Sequence, residues 1–203
     1  MPSLVSRLKG IGKFAWQALP NLRQVGTILP SPKSVARAML DPVDWYGVRR
    51  VVETGAGNGF ITEEIRRCMP DYARLTVYEV NPVFCEKLKE TIKDKRVTIV
   101  NAGAETLDVP ADIIFSSIPK AAFQLSDGRS STLDAVVANL SPEGQFVHHQ
   151  YIPFFGALKN YFGRVERRWA WCYLWPASVY FCSMPRSSSH TSNKPRSYDK
   201  IFK

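Results

Sequence analysis

A mostly parallel α/β sheet with helices on both faces is predicted by three features of this chain. The first is Arg50-Val51-Val52-Glu53-Thr54-Gly55-Ala56-Gly57-Asn58-Gly59-Phe60, an apolar strand that ends in an acid and then in alternate glycines. The second is Thr76-Val77-Tyr78-Glu79-Val80, another short apolar strand carrying an acid at its end, one βαβ unit later. The third is the regular alternation of strand and helix patterns as far as Tyr151, the order that places helices on both faces of a parallel sheet.

Length and composition set the bounds. A chain of 203 residues, 45% hydrophobic and 22% charged, suits one globular α/β domain with a sizeable core. No apolar run reaches the ~18 residues a bilayer span requires. The four cysteines, Cys68, Cys85, Cys172 and Cys182, form no C-x-x-C pair and have no histidine at ligand spacing. Reduced thiols are expected rather than a disulfide framework, and no metal site. The net charge of +9 is uneven: residues 1–50 hold eight basic and two acidic side chains, residues 183–203 hold five and one, and the stretch between them is near neutral. Basic flanks imply an anionic partner, a lipid headgroup surface or nucleic acid.

Taken in order, residues 3–19 place Leu4, Leu8, Ile11, Ala15, Ala18 and Leu19 on one helical side, with Arg7, Lys9 and Lys13 on the rest, and Pro20 ends the segment. A short basic helix bearing Phe14 and Trp16 suits a membrane interface, although simple packing on the domain accounts for the same pattern. The expected organisation is therefore a basic amphipathic helix over 1–20, a catalytic domain over 21–182 and a flexible basic tail over 183–203. Within the domain, Ser31 and Pro32 suit the cap and first position of a helix over 33–40. The glycine loop leads into a helix over 60–69, followed by a strand over 75–80. Asn81-Pro82 opens a helix over 83–92, and a strand over 97–100 follows. A fourth strand begins at Asp112 and leaves through Ser116-Ser117-Ile118-Pro119. A helix over 126–140, a turn at 141–144 and a strand over 145–151 come next, then two strands within 163–182 around Pro176.

The spacing E-x-G-x-G-x-G at Glu53–Gly59, with Glu79 behind it, resembles motif I and its successor in class I S-adenosylmethionine-dependent methyltransferases. The resemblance implies a Rossmann-like seven-stranded sheet closed by a C-terminal β-hairpin, with S-adenosyl-L-methionine as cofactor. It implies that Gly55, Gly57 and Gly59 let the main chain approach an adenosyl group, and that Glu79, next to Val80, accepts from ribose hydroxyls. Many members carry Gly-Asp-Ala where this chain has Asn101-Ala102-Gly103-Ala104-Glu105, so Asn101, Glu105 or a backbone carbonyl would have to meet the adenine amine. Narrower likenesses follow at Gly26-Thr27-Ile28-Leu29-Pro30-Ser31-Pro32, at the Ser116–Pro119 loop and at Leu174–Tyr180. These resemble bacterial soluble-type phospholipid N-methyltransferases, a group distantly similar to rRNA adenine dimethyltransferases, and imply that Thr27, Ser31 and Ser116 line the site.

The same resemblance picks out Tyr151, from Phe146-x-x-x-Gln150-Tyr151. Period-two alternation puts His149 on the same strand face, and His148 with Gln150 on the other. Tyr151, aided by His149, is expected to orient and deprotonate the amine of phosphatidylethanolamine or its partly methylated products, because an ammonium has no lone pair for attack. The partner would be an anionic membrane surface, the location cytoplasmic at the inner face of the membrane, and no obligate protein partner is evident. An rRNA adenine N6-dimethyltransferase is the second reading. Against it, the Ser116–Pro119 loop lacks the Asn or Asp and the aromatic that such enzymes use to hold a base. A non-catalytic binding protein on the same fold is the third, and the intact Glu53, glycines and Glu79 argue against it.

Overall fold

A computed structural model describes residues 32–123, 129–152, 154–170 and 177–186. The helix expected over 3–19, Thr27 and Ser31 lie outside the described residues. The strands are β1 (Arg50–Thr54), β2 (Arg74–Tyr78), β3 (Val97–Val100), β4 (Ala111–Ser116), β5 (Leu140–Gln150), β6 (Phe162–Ala170) and β7 (Ala177–Pro185). The helices are α1 (Pro32–Leu40), α2 (Phe60–Cys68), α3 (Pro82–Thr91), α4 (Ser131–Asn139) and α5 (Phe155–Tyr161). One seven-stranded sheet runs β3-β2-β1-β4-β5-β7-β6. β1 to β5 pair in parallel, whereas β7 runs antiparallel to both β5 and β6. The expected α/β architecture and its terminal hairpin are both present.

Each strand sorts its side chains between two cores. Val51, Val77, Ile113, Phe115, Val147 and Val179 face α1 and α2, where Val35, Met39 and Ile65 meet them. The alternate residues Val52, Tyr78, Ile114, Phe146 and Tyr180 face Leu133 and Val136 of α4 and Leu158 of α5. Burial on both faces explains why β1 and β4 read as continuous apolar runs.

Local chemistry sets the helix starts. The Asn81 side chain accepts the Val83 N–H at 3.0 Å with Pro82 in the first turn. Ser130 accepts the Leu133 N–H at 3.3 Å, so α4 begins at Ser131 rather than at 126. In α2, Glu63 lies in the first turn and Arg66 and Arg67 in the last, matching the helix dipole and adding i,i+3 ion pairs.

Three other segments differ from the sequence reading. β5 begins at Leu140, and the segment expected as a turn over 141–144 is absorbed as a shift in pairing opposite Ala111–Ile113. Helix α5 was not expected: its cap residue Phe154 makes no side-chain cap hydrogen bond, and seven residues carry too little period to show. β7 continues to Pro185, so the boundary set at 182 lies inside a strand whose Ser183 pairs with Arg164.

Candidate active site

The site is built from the carboxyl ends of β1, β2, β4 and β5, the end of a parallel sheet where ligands bind. After β1 the chain turns through Gly55, Gly57 and Gly59, whose φ values are 77°, 55° and 82°. A Cβ on Gly55 would stand 2.6 Å from Ile118 Cγ2, so this glycine lets the β4 exit loop close on motif I. A Cβ on Gly59 would stand 2.4 Å from Leu88 Cδ2, so this one lets α2 pack on α3. A Cβ on Gly57 would meet nothing within 4 Å. Its left-handed backbone faces open space, the arrangement a closely approaching ligand requires.

Glu79 ends β2 and pins this loop. Its Oε2 accepts the Gly57 N–H at 2.8 Å and its Oε1 accepts the Asn81 N–H at 2.8 Å. Each oxygen keeps a further lone pair for a hydroxyl. Next to it Val80 is 60% exposed, an apolar surface at the strand end. Asn101 donates its amide to the carbonyls of Glu79 and Val80 at 2.9 and 3.2 Å, so its side chain braces this corner. Its carbonyl oxygen is the only acceptor it has left to offer. Glu105 lies exposed in a short 3₁₀ turn, folded back over Gly103.

Glu53 and Thr62 sit beneath the loop, both fully buried, and neither carboxylate oxygen nor the Thr62 hydroxyl closes a hydrogen bond of ordinary geometry. Burial pushes the Glu53 carboxyl up to about 7; the facing Thr62 hydroxyl works against this and the charge of Glu79 adds to it. A carboxyl whose folded pKa exceeds its unfolded value stabilises below the unfolded value and loses that stabilisation as pH rises through the folded one. Glu53→Gln should therefore gain stability over the parent as pH rises from 5 to 8, by roughly 3 kcal/mol at the upper end. Urea unfolding of both proteins across that range checks this, because the histidines contribute equally to both and cancel in the difference.

A cavity of about 190 Å³ opens against this loop, lined by Val35, the motif I residues Gly55 to Asn58, Phe60 and Ile61, and by Ser117, His149 and Tyr151. His149 and Tyr151 share one strand face as alternation requires, with their rings edge to face at 5.6 Å. Burial lowers the His149 imidazole to about 4, so it is neutral at physiological pH, and its Nδ1 has no hydrogen-bond partner. Ser117 Oγ also lacks a partner. Polar atoms left unsatisfied in a native interior call for an explanation, and here they converge on one cavity.

Ser116 differs from expectation. It is buried as the last residue of β4, its carbonyl 3.2 Å from His148 Nδ1, and the cavity is lined by Ser117 instead. The alternation of β4 continued one residue into the loop would have found it. His148 lies on the opposite face, fully buried among Phe123, Phe146, Phe154 and Tyr180. Phe123, the first aromatic after Pro119, is held in that cluster with no exposed surface.

A larger trough of about 770 Å³ runs between α2 and α3 along Arg66, Asp94 and Arg96. Two of its arginines are paired within it, Arg66 with Glu63 and Arg96 with Asp94, each at 2.7 Å. It offers no unsatisfied group of the kind that marks the smaller cavity.

The profile of the family described as ribosomal RNA adenine dimethylase matches residues 28–164, most of the sheet and every element of the cavity. The chain belongs to that family. It is a class I S-adenosylmethionine-dependent methyltransferase, and S-adenosylmethionine is its cofactor. Among curated proteins this family member is 27% identical over 174 residues to an ornithine lipid N-methyltransferase of Singulisphaera acidiphila, spanning 78% of this chain and 88% of that one. Solved structures share its fold. The N-methyltransferase NodS of Bradyrhizobium japonicum in complex with S-adenosyl-L-homocysteine aligns at a TM-score of 0.60 and 17% identity, over 76% of this chain and 86% of its own. An rRNA-methylase from Clostridium thermocellum aligns at 0.56 and 17%, over 78% and 98%.

The residues at the β1 and β2 ends fit such a cofactor. Gly57 leaves open space beside a loop amide, Val80 presents an apolar face, and the Glu79 carboxylate retains acceptor capacity. Among the described residues no helix is long and apolar enough to cross a membrane.

Proposed function

We propose that this methyltransferase acts on the headgroup amine of a membrane aminolipid, phosphatidylethanolamine and its partly methylated forms first among them. One observation carries the reading. Ser117, His149 and Tyr151 converge on the glycine loop, while Ser116-Ser117-Ile118-Pro119, where β4 leaves the sheet, offers no amide, acid or aromatic to grip a base, and the first aromatic after it, Phe123, is buried. The printed name of the curated relative, a lipid N-methyltransferase, supports the same direction.

In this reading Gly55, Gly57, Gly59, Glu79 and Val80 hold the cofactor, with Glu53 beneath the loop and Asn101 bracing the adenine corner. The family resemblance further assigns Thr27, Ser31 and Glu105 to the site, and Ser116 supports it through Ser117. When bound, S-adenosylmethionine supplies an electrophilic methyl group on a sulfonium. The protein's part is to hold the amine in line with it in a cavity poor in water, and such positioning is worth roughly 7–11 kcal/mol. Tyr151 and Ser117 orient the amine by hydrogen bonds. His149 accepts a hydrogen bond from the incoming ammonium, because a neutral imidazole neither repels a cation nor needs its own proton removed. An imidazole held near 4 keeps a proton only briefly, so the proton leaves to solvent through the cavity mouth. The sequence-based role of His149 as a base is thereby narrowed to that of an acceptor and relay.

The test is methyl-labelled cofactor offered with phosphatidylethanolamine vesicles, with ornithine lipid vesicles, or with rRNA. Label in the organic phase is expected, and the two lipid arms decide the headgroup. Label confined to RNA overturns the proposal and returns the family's other chemistry.

A further inference from the structure

The outer strand β6 carries surface chemistry that methyl transfer does not use. It is the outermost strand of the described sheet, and Arg164, Arg167, Arg168 and Trp169 are all exposed on it. Arg164 pairs with Glu166. Arg167 and Arg168 form no ion pair among the described residues and lie instead over aromatic rings. The Arg167 guanidinium sits 4.4 Å from the Trp169 ring centre, and that of Arg168 sits 5.2 Å from that of Phe181. Stacking of this kind holds the cations extended at the surface with their donors turned to solvent.

Register places this group at the same end of the sheet as the active site, with Arg168 on the face of His149 and Arg167 and Trp169 on the face of His148 and Gln150. Trp169 pairs with Ser178 and Ser178 with Gln150; Arg168 pairs with Val179 and Val179 with His149. The arginines therefore lie two strand spacings, about 10 Å, from the strand end bearing His149 and Tyr151. Two exposed features flank them. Ile152, next to Tyr151, is 58% exposed, and on α5 the exposed Lys159 lies over the Phe155 ring at 4.6 Å. Cations, a 43% exposed tryptophan and a bare isoleucine at one corner of the sheet, at the end that bears the cavity, are the composition of an interfacial surface. A nucleic acid would use the arginines, but it has no use for the isoleucine.

We propose that the β6 edge, through Arg167, Arg168 and Trp169, seats the enzyme on an anionic lipid bilayer with its cavity facing the headgroups. The inference rests on the aminolipid reading above for its purpose, but its test needs no turnover.

Co-sedimentation of the full chain is measured with vesicles of phosphatidylcholine alone and with vesicles containing phosphatidylglycerol, neither of which presents a primary amine. The parent is expected to bind only the anionic vesicles and to be released by salt. Arg167→Ala with Arg168→Ala should weaken that binding on the order of tenfold or more. Arg167→Lys with Arg168→Lys should retain it, and Trp169→Ala should weaken it at low salt. Calorimetric titration with S-adenosylmethionine confirms that each variant is folded, and should the double alanine variant fail there, Arg167→Glu alone carries the same test. Parent-like binding of the alanine variants to anionic vesicles overturns the inference, as does a loss of RNA affinity with vesicle binding intact. Methylation of aminolipid in detergent micelles is scored separately, so the substrate reading can stand where the docking surface fails.

Discussion

Tyr151→Phe should lower the turnover of aminolipid about a hundredfold or more, while S-adenosylmethionine binds as it does to the parent. The exchange removes one oxygen and keeps the ring, so the edge-to-face packing on His149 survives. His149→Ala should cause a comparable loss of turnover, with some stability lost as well because a largely buried ring leaves a void. Calorimetric cofactor titration alongside a labelled-methyl assay separates the two effects: an unchanged affinity with a fallen turnover places both groups on the substrate side. Full lipid methylation by both variants would end the assignment of Tyr151 and His149. The pH dependence gives a second check. With His149 neutral down to about 4, the rise of activity with pH should follow deprotonation of the amine, and His149→Ala should leave the midpoint of that rise in place.

Gly55→Ala should be strongly destabilising for the addition of a single methyl group. It forces an alanine to φ 77°, which costs roughly 1–2 kcal/mol. It also drives a Cβ to 2.6 Å from Ile118 Cγ2 and 3.3 Å from the Ile118 backbone nitrogen, an overpacking worth about 1–3 kcal/mol. Urea unfolding should show a loss of about 2–5 kcal/mol. Ile118→Ala in the same chain should restore part of that loss, since the side-chain clash is relieved and the backbone one is not. Gly57→Ala separates binding from stability. Its Cβ meets nothing, so unfolding should register only the backbone strain, whereas S-adenosylmethionine affinity should fall much further. Equal damage from the two substitutions would mean that the open space at Gly57 is not where the cofactor lies.

These two sites show where sequence and structure divide. The glycine motif, the acids ending β1 and β2, and the strand–helix alternation were legible because backbone turning and two-sided burial restrict residue types locally. The pairing of His149 with Tyr151 was legible for the same reason, since strand alternation is a property of the chain alone. Ser117 was missed in favour of Ser116 because the β4 alternation, which Ser117 continues on the face of Ile113 and Phe115, need not persist once a strand ends. Asn101 looked like an adenine acceptor from its place in the chain, and only its distances to Glu79 and Val80 reveal a brace. Helix α5 escaped notice because a short helix without a cap residue is held by its tertiary packing, here Leu158 and Tyr161 in the core.

By itself, then, the sequence determined the sheet, the reaction class and the strand ends that carry it, all consequences of short-range backbone and side-chain preferences. Tertiary structure alone decided which polar groups are left unsatisfied around one cavity, that Phe123 is withdrawn from it, and that the arginines of β6 lie two strands from Tyr151. Those depend on register between segments far apart in the chain, which no local pattern encodes.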